Sequence, residues 1–520
     1  MINSNKDIPP SGGANRSAAA PVPAPVPAPG PGQEFGPRLA AGLSGIFIAA
    51  MMAGLNNRVG ALALSDLRAH LGWGMDQASW LNTVYVAGEM IAMPFAAWFA
   101  VTLSLRRFHL LMLAVCALLA ALLPCVRSLE WMLALRGLQG LAGGTLIPLL
   151  MMAALRFLPP PIRLHALALY SMTATFAPNI AIWVAGLWMD GLADLRMVYW
   201  QVVPVSLLAA VLVAWGIPQD PPRPGRFREG NWLGMLFGVA GLGLLALALD
   251  QGNRREWLAS PLIAWTLAAG GACTLVYLFS EWRHPAPFIK LQLLGRRNLG
   301  LGFMVFVGLL VLFLSGAMLP SVHLGHLWHY RAAQAAPIGL IIGLPQLAIA
   351  PAIALLLYQK RVDARHVLAV GLVVLALACW LGSQLRAEWM WREFVWAQAL
   401  QAIGQPMAVV PLLFLVTSVV QPAEGPYVAG TVNLLRAAGM LLGGALIGRL
   451  LQLRERFHTD MLAATPEPAG LAHTVFQQAS VLAVADAYRV LAVLALLLIP
   501  CVLALQHIPA PRPSSAPSRP

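Results

Sequence analysis

From about residue 39 to residue 506 the chain is divided into fourteen apolar stretches joined by short polar links. They run at about 39–66, 76–101, 107–126, 130–156, 162–188, 198–217, 231–250, 258–280, 297–321, 332–358, 365–384, 391–419, 426–450 and 486–506, taken here as spans 1 to 14. Each is close to or above the roughly 20 residues that a helix rising ~1.5 Å per residue needs to cross a bilayer. In hydrocarbon the backbone must satisfy its own hydrogen bonds, so such stretches specify membrane-spanning helices. Composition agrees, with 59% hydrophobic residues, 11% charged and a mean hydropathy of +0.72, whereas soluble domains carry about 25% charge. The expected fold class is an all-α integral membrane protein. Residues 1–37 turn into the Ala/Pro alternation PVPAPVPAPGPG. Such a segment buries no core, so a disordered or polyproline-like cytoplasmic tail is expected there, and a second tail at 509–520. Residues 1–37 lack the apolar centre of a signal peptide, so no cleaved leader is expected.

The net charge of +13 is almost wholly arginine, since Lys6, Lys290 and Lys360 are the only lysines. A basic balance can mark a nucleic-acid partner, but the placement of the arginines gives a membrane reading instead. With a cytoplasmic N-terminus, the cytoplasmic links hold about 19 Lys and Arg and the opposite links about 10. Both termini are therefore expected in the cytoplasm, with the lipid bilayer as surroundings and no nucleic acid as partner. Cys116, Cys125, Cys273, Cys379 and Cys501 all fall in apolar runs without paired spacing, which reads as packing.

An internal echo divides the body. The basic link LSLRRFH at 103–109, with Arg106 and Arg107, has a counterpart in QKRVDARHV at 359–367, with Arg361, Asp363 and Arg365. The links become equivalent if 38–218 and 286–508 are two six-helix bundles and 219–285 holds two inserted helices. Paired six-span halves holding substrate near the midplane are a transporter plan.

Buried charge then points to the working parts. Arg136 lies about two turns inside span 4, where a charge costs at least ~2.5 kcal/mol and must find protein or water. Gln139 follows one turn on, and Gly140 with Gly144 makes a small-xxx-small face that admits a close neighbour. Span 2 carries Glu89, and span 1 carries Arg58, placed to reach down toward that carboxylate. An Arg58–Glu89 pair near Arg136 would either fix helices or load a proton as access alternates. These four, Arg58, Glu89, Arg136 and Gln139, are the candidate coupling residues. Candidate cavity residues are Asn56, Asn57, Tyr85, Tyr170, Gln401, Gln405 and Arg436, with Trp80, Trp183 and Trp396 as further stacking surfaces. Two arginines in the N-terminal half favour acidic or zwitterionic substrates over lipophilic cations.

Other constellations carry less. His323, His326 and His329 fan around a helix end with no acid or cysteine nearby, so no metal is expected. GLGLLA at 241–246 lies within a span, no G-K-S/T phosphate loop occurs, and nothing resembles G-x-S-x-G or H-E-x-x-H. No cofactor and no enzymatic activity are expected.

RGLQGLAGGTLIP around Arg136, Gln139 and Gly140 resembles the helix 4 motif of major facilitator drug antiporters. ALALYSMTATFAP at 166–178, LALDQGNRREWLAS at 247–260 and NLLRAAGMLLGGALIG at 433–448 resemble segments of the fourteen-span EmrB/QacA-type subfamily. The resemblance implies a major facilitator fold of two six-helix bundles plus two inserted helices. It also implies proton-coupled efflux of amphipathic or aromatic organic compounds from the inner membrane, and work with a periplasmic adaptor and an outer-membrane channel. In that family the link after span 2 latches the inner gate, which, with its internal counterpart after span 10, makes Arg106, Arg107, Arg361, Asp363 and Arg365 candidate gating residues. Departures stand out. Asn56 replaces the usual span 1 aspartate, and Ala181 to Gly186 replace a Gly-Pro-x-x-Gly-Gly sequence. An uncoupled facilitator or sensor of the same fold is the alternative, and a membrane-embedded enzyme a remote third.

Overall fold

The computed structural model describes residues 35–463 and 472–510. The expected tails at 1–37 and 509–520 lie almost entirely outside them. Among the described residues, fourteen helices are long and apolar enough to cross a membrane: Pro37–Leu62, Met75–Leu103, Leu105–Cys125, Leu129–Phe157, Ile162–Gly191, Met197–Gly216, Trp232–Gln251, Pro261–Arg283, Arg297–Trp328, Ala332–Leu356, Ala364–Gly382, Val395–Thr417, Gly425–Ala463 and His473–Leu503. They correspond in order to spans 1 to 14, and no strand occurs among the described residues.

Spans 1 to 6 pack on one another, as do spans 9 to 14, and the hairpin of spans 7 and 8 lies against span 2 and span 13. The two bundles meet where span 5 packs along span 10 and where span 13 packs on spans 2 and 4. One face of the assembly carries the first and last described residues, Phe35 and Ala510, and the basic links. The opposite, far face carries the short helix Leu64–Leu71 after span 1.

Glycine sets the closest crossings. The small-xxx-small face of span 4 receives span 2: a Cβ at Gly140 would overlap the Tyr85 carbonyl oxygen, and one at Gly144 would lie 2.7 Å from the Glu89 Cα. This crossing fixes the height and rotation of Glu89. Across the seam, a Cβ at Gly339 of span 10 would overlap the Asn179 carbonyl of span 5.

Span 9 is interrupted at Phe313, between helices Arg297–Leu312 and Leu314–Trp328. The irregular turn is held by side chains, as backbone at membrane depth requires. Gln398 donates to the Gly316 carbonyl at 2.8 Å, and the Tyr488 hydroxyl to the Ser315 carbonyl at 3.1 Å.

Two lengths differ from expectation. Span 13 runs on to Ala463 and span 14 begins near His473, well before residue 486. The polar residues that suggested a link there satisfy one another instead: Asp486 of span 14 accepts from Arg454 at 2.6 Å and contacts His458 at 2.8 Å. The result is a helical hairpin projecting from the far face.

The inserted hairpin is tied to span 2 at both ends. Near the basic face, Phe95 of span 2 meets Tyr277 of span 8 edge-on, with ring centroids 5.9 Å apart. At the far face, Gln251 donates to Thr83 Oγ1 at 2.6 Å and Arg254 pairs with Asp76 at 2.6 Å.

Candidate functional site

Between the bundles lies a cavity of about 340 Å³, within the range of small-molecule pockets. Its polar wall comes from Asn57 and Arg58 of span 1, Asn82 and Glu89 of span 2, Asp250 of span 7 and Arg436 of span 13. Asn82 and Glu89 are seven residues apart, two helical turns, and so share one face of span 2.

The expected Arg58–Glu89 ion pair is not formed. Glu89 instead accepts a hydrogen bond from Asn57 Nδ2 at 2.7 Å. Neighbouring residues point about 100° apart around a helix, so Asn57 faces span 2 while Arg58 turns along the cavity wall. There Arg58 makes no hydrogen bond or ion pair with any described residue.

Arg136 also departs from expectation. It is 2% exposed and does not line the cavity. Its guanidinium lies 4.2 Å from the Tyr85 ring centroid and 5.4 Å from that of Tyr199. Nη1 donates to Gln139 Oε1 at 2.6 Å. Two aromatic faces and one neutral acceptor thus stand in for a counter-ion. Asn56, Tyr85 and Tyr170, expected in the cavity, are buried within the packed helices and do not line it; Asn56 Nδ2 reaches the Tyr85 hydroxyl at 3.4 Å. Gly60 of span 1 makes room, since a Cβ there would lie 2.5 Å from Arg136 Nη2.

Arg436 does face the cavity, anchored across the seam: Nη1 donates to Thr173 Oγ1 of span 5 at 2.7 Å and Nη2 to its carbonyl. One turn away, the Tyr170 hydroxyl donates to Asn433 Oδ1 at 2.9 Å. Gln401 and Gln405 lie away from the cavity in a ladder inside the C-terminal half. Gln346 Nε2 donates to Gln405 at 3.0 Å, Gln405 to Gln401 at 3.2 Å, and Gln401 to Ser315 Oγ at 2.7 Å. Trp183 and Trp396 are 45% and 77% exposed on the outside of the bundle, so neither can stack on a molecule in the cavity.

The candidate gating residues form no hydrogen bond or ion pair between the halves among the described residues. Arg106 reaches the Ile217 carbonyl at 3.5 Å, and Arg107 and Arg361 are exposed. Asp363 caps span 11 by accepting from the Arg365 backbone N–H at 2.9 Å, and pairs with the Arg365 guanidinium at 2.7 Å and His507 at 3.2 Å. Contacts between halves on this face come instead from His165 against Tyr358, 3.3 Å apart, and from Leu155 against Gly425. On the far face Arg331, between spans 9 and 10, holds Asp190 of span 5 at 2.5 Å and Asp66 at 3.0 Å. Three ordinary link charges, unremarkable in one dimension, thus join the two halves.

Asp250 was not among the expected site residues. The signal was present, as an acid in the last turn of an apolar span within LALDQGNRREW. Its position at the very end of span 7 makes it look, in the sequence, like the start of the following link.

The sequence pattern of the Major Facilitator Superfamily matches residues 46–282. The chain is 26% identical to the colistin resistance protein EmrB of Acinetobacter baumannii, over 80% of this chain and 81% of that one. It is 24% identical to the multidrug export protein EmrB of Haemophilus influenzae, over 81% and 82% of the two chains. The likeness to the Major Facilitator Superfamily pattern covers a little under half of the chain, and the two relatives extend it over most of the rest. Among solved structures, the human organic anion transporter MFSD10 (TETRAN) superposes with a TM-score of 0.54 at 14% identity, covering 90% of this chain and all of that one. At that identity the likeness concerns the fold. It agrees with the paired bundles around a central cavity found here.

Proposed function

We propose that this protein is a secondary active exporter of the inner membrane, with both termini cytoplasmic, that exchanges protons for amphipathic or aromatic organic compounds by alternating access. The observation that carries the reading is Glu89. It lies at the cavity wall between the halves, and its one hydrogen-bond partner among the described residues is the neutral amide of Asn57. Gaining or losing a proton there breaks no ion pair, so the carboxylate is free to change charge as the cavity's surroundings change. The names of the relatives, which include multidrug export proteins, support the direction of transport.

Alternating access has candidate parts on both faces. Opening toward the far face must break Arg331 from Asp66 and Asp190, and opening toward the basic face must part Leu155 from Gly425 and His165 from Tyr358. Arg58 and Arg436 in the cavity wall suit substrates with an anionic group. Arg136, behind Tyr85, acts in this reading by holding spans 1, 2 and 4 in register. A periplasmic adaptor leading to an outer-membrane channel is the proposed partner, and the hairpin of spans 13 and 14 that projects from the far face is the part nearest to it.

The test is proton-driven transport by purified protein in liposomes with an imposed pH gradient, using norfloxacin and ethidium as probes. Wild type should accumulate a probe against its concentration gradient, and Glu89→Gln should not. Accumulation that stops at equal concentrations in wild type would favour the uncoupled facilitator, a reading supported by the lost Gly-Pro sequence at 181–186.

A further inference from the structure

Span 7 belongs to neither bundle, yet one of its side chains completes the cavity wall. Asp250 sits in the last turn of span 7 and lines the cavity together with Asn253. Its Oδ1 accepts from Asn82 Nδ2 at 3.0 Å and its Oδ2 from Thr83 Oγ1 at 2.5 Å. Both donors are neutral, and no Lys, Arg or His among the described residues lies within ion-pair distance of this carboxylate. Arg254, one turn further on, is paired with Asp76 instead. An ionised carboxylate has about four acceptor positions, so two hydrogen bonds leave each oxygen able to take another donor.

The same cavity holds the complementary group. Arg58 lines it without a hydrogen bond or ion pair to any described residue. Partly buried charges of this kind are normally paired, and here Asp250 and Arg58, like Glu89 and Arg436, line a single space of about 340 Å³ without an ion pair to any described residue, Arg58 without a hydrogen bond as well. The hairpin that delivers Asp250 is held rigidly. Gln251 is bonded to span 2, and Asn253 Nδ2 donates to the Ala445 carbonyl of span 13 at 3.0 Å.

We propose that Asp250 receives the cationic group of the substrate, and that Arg58 receives an anionic group on the same molecule. The preferred cargo is then an amine-bearing, zwitterionic aromatic compound, and the inserted hairpin is a functional wall of the site. This rests on the transport reading above and adds the charge pattern of the substrate to it.

The test compares binding of three probes to the full chain in lipid nanodiscs: zwitterionic norfloxacin, cationic ethidium and anionic salicylate. Wild type should bind norfloxacin. Loss of a charge-assisted hydrogen bond should lower the norfloxacin-to-salicylate affinity ratio about tenfold or more in Asp250→Asn, with recovery in Asp250→Glu. Arg58→Gln should lower the norfloxacin-to-ethidium ratio to a similar degree. Asp76→Asn, which loosens the hairpin at an ion pair outside the cavity, should change neither ratio. Equal weakening of all three probes by Asp250→Asn would mean that Asp250 only pins the hairpin, and would overturn the proposal. Absence of norfloxacin binding to wild type would also overturn it. Binding with the expected ratios but no proton-driven movement in liposomes would leave the proposal standing and overturn the exporter reading.

Discussion

Asn57 donates to the Glu89 carboxylate across 2.7 Å, and Arg58, the next residue in the chain, leaves that carboxylate alone. A cavity that holds two acids and two guanidiniums therefore keeps its four charges apart. Neutral side chains hold three of them: Asn57 for Glu89, Asn82 and Thr83 for Asp250, and Thr173 for Arg436.

Removing the neutral partner should damage coupling more than folding. A hydrogen bond to a charged group contributes about 1.5–3 kcal/mol, so Asn57→Ala should slow proton-driven efflux about tenfold or more. Asn57→Gln, which keeps the amide, should recover part of it. Initial rates of ethidium movement in liposomes check this.

Close packing of span 2 on span 4 gives a stability prediction. Gly144→Ala places a methyl 2.7 Å from the Glu89 backbone, and overpacking of this kind costs about 1–3 kcal/mol. Gly271→Ala in span 8 meets nothing within 4 Å and should stay within about 0.5 kcal/mol of wild type. Denaturant unfolding in detergent, followed by tryptophan fluorescence, separates the two.

The far-face latch should bias the transport cycle without dominating it. The hydrogen bond to Asp190 and the charges of Asp66 and Asp190 raise the Arg331 pKa above the ordinary arginine value, against the opposing effect of burial. The Arg331 side chain is 58% exposed, and such pairs contribute about 0–1 kcal/mol. Arg331→Ala should thus shift the balance toward the far-face-open state by no more than several-fold. The measure is the labelling rate of Asn57→Cys by an impermeant thiol reagent added from that side.

Acid should release the cap of span 11. Burial pushes the Asp363 carboxyl up, but hydrogen bonds from Arg365 and the charges of Arg365 and His507 pull it down to about 2. Because the folded value is depressed, the contribution to stability is fully present above the unfolded value of about 3.9 and is lost as pH falls through about 2. The shift corresponds to about 2 kcal/mol. The stability difference between wild type and Asp363→Asn should be constant from about pH 5 upward and shrink below about pH 4.

Much of the scaffold was legible in the sequence because the bilayer imposes it. Span number, the inserted pair and the Gly140–Gly144 crossing follow from apolar length and small residues. The charges were harder to place. Arg136 was conspicuous as a buried cation, but one dimension does not show that Tyr85 and Tyr199 would enclose it. Asp250 is inconspicuous because a polar residue at the end of an apolar run looks the same whether it faces water outside or a cavity within. Spans 13 and 14 look shorter in the sequence than they are for a related reason. Arg454, His458 and Asp486 look like link residues until the hairpin pairs them.

Span 13 is one unbroken rod of 39 residues, about twice what the hydrocarbon requires. From Arg436, where it grips span 5, to Ala463 is about 40 Å of helix. A tilt of about 10° at that grip would swing the tip by about 7 Å. The rod is a lever with its short arm in the cavity and its long arm outside the lipid, so a rearrangement around a bound molecule is broadcast, enlarged, to whatever touches the projecting end.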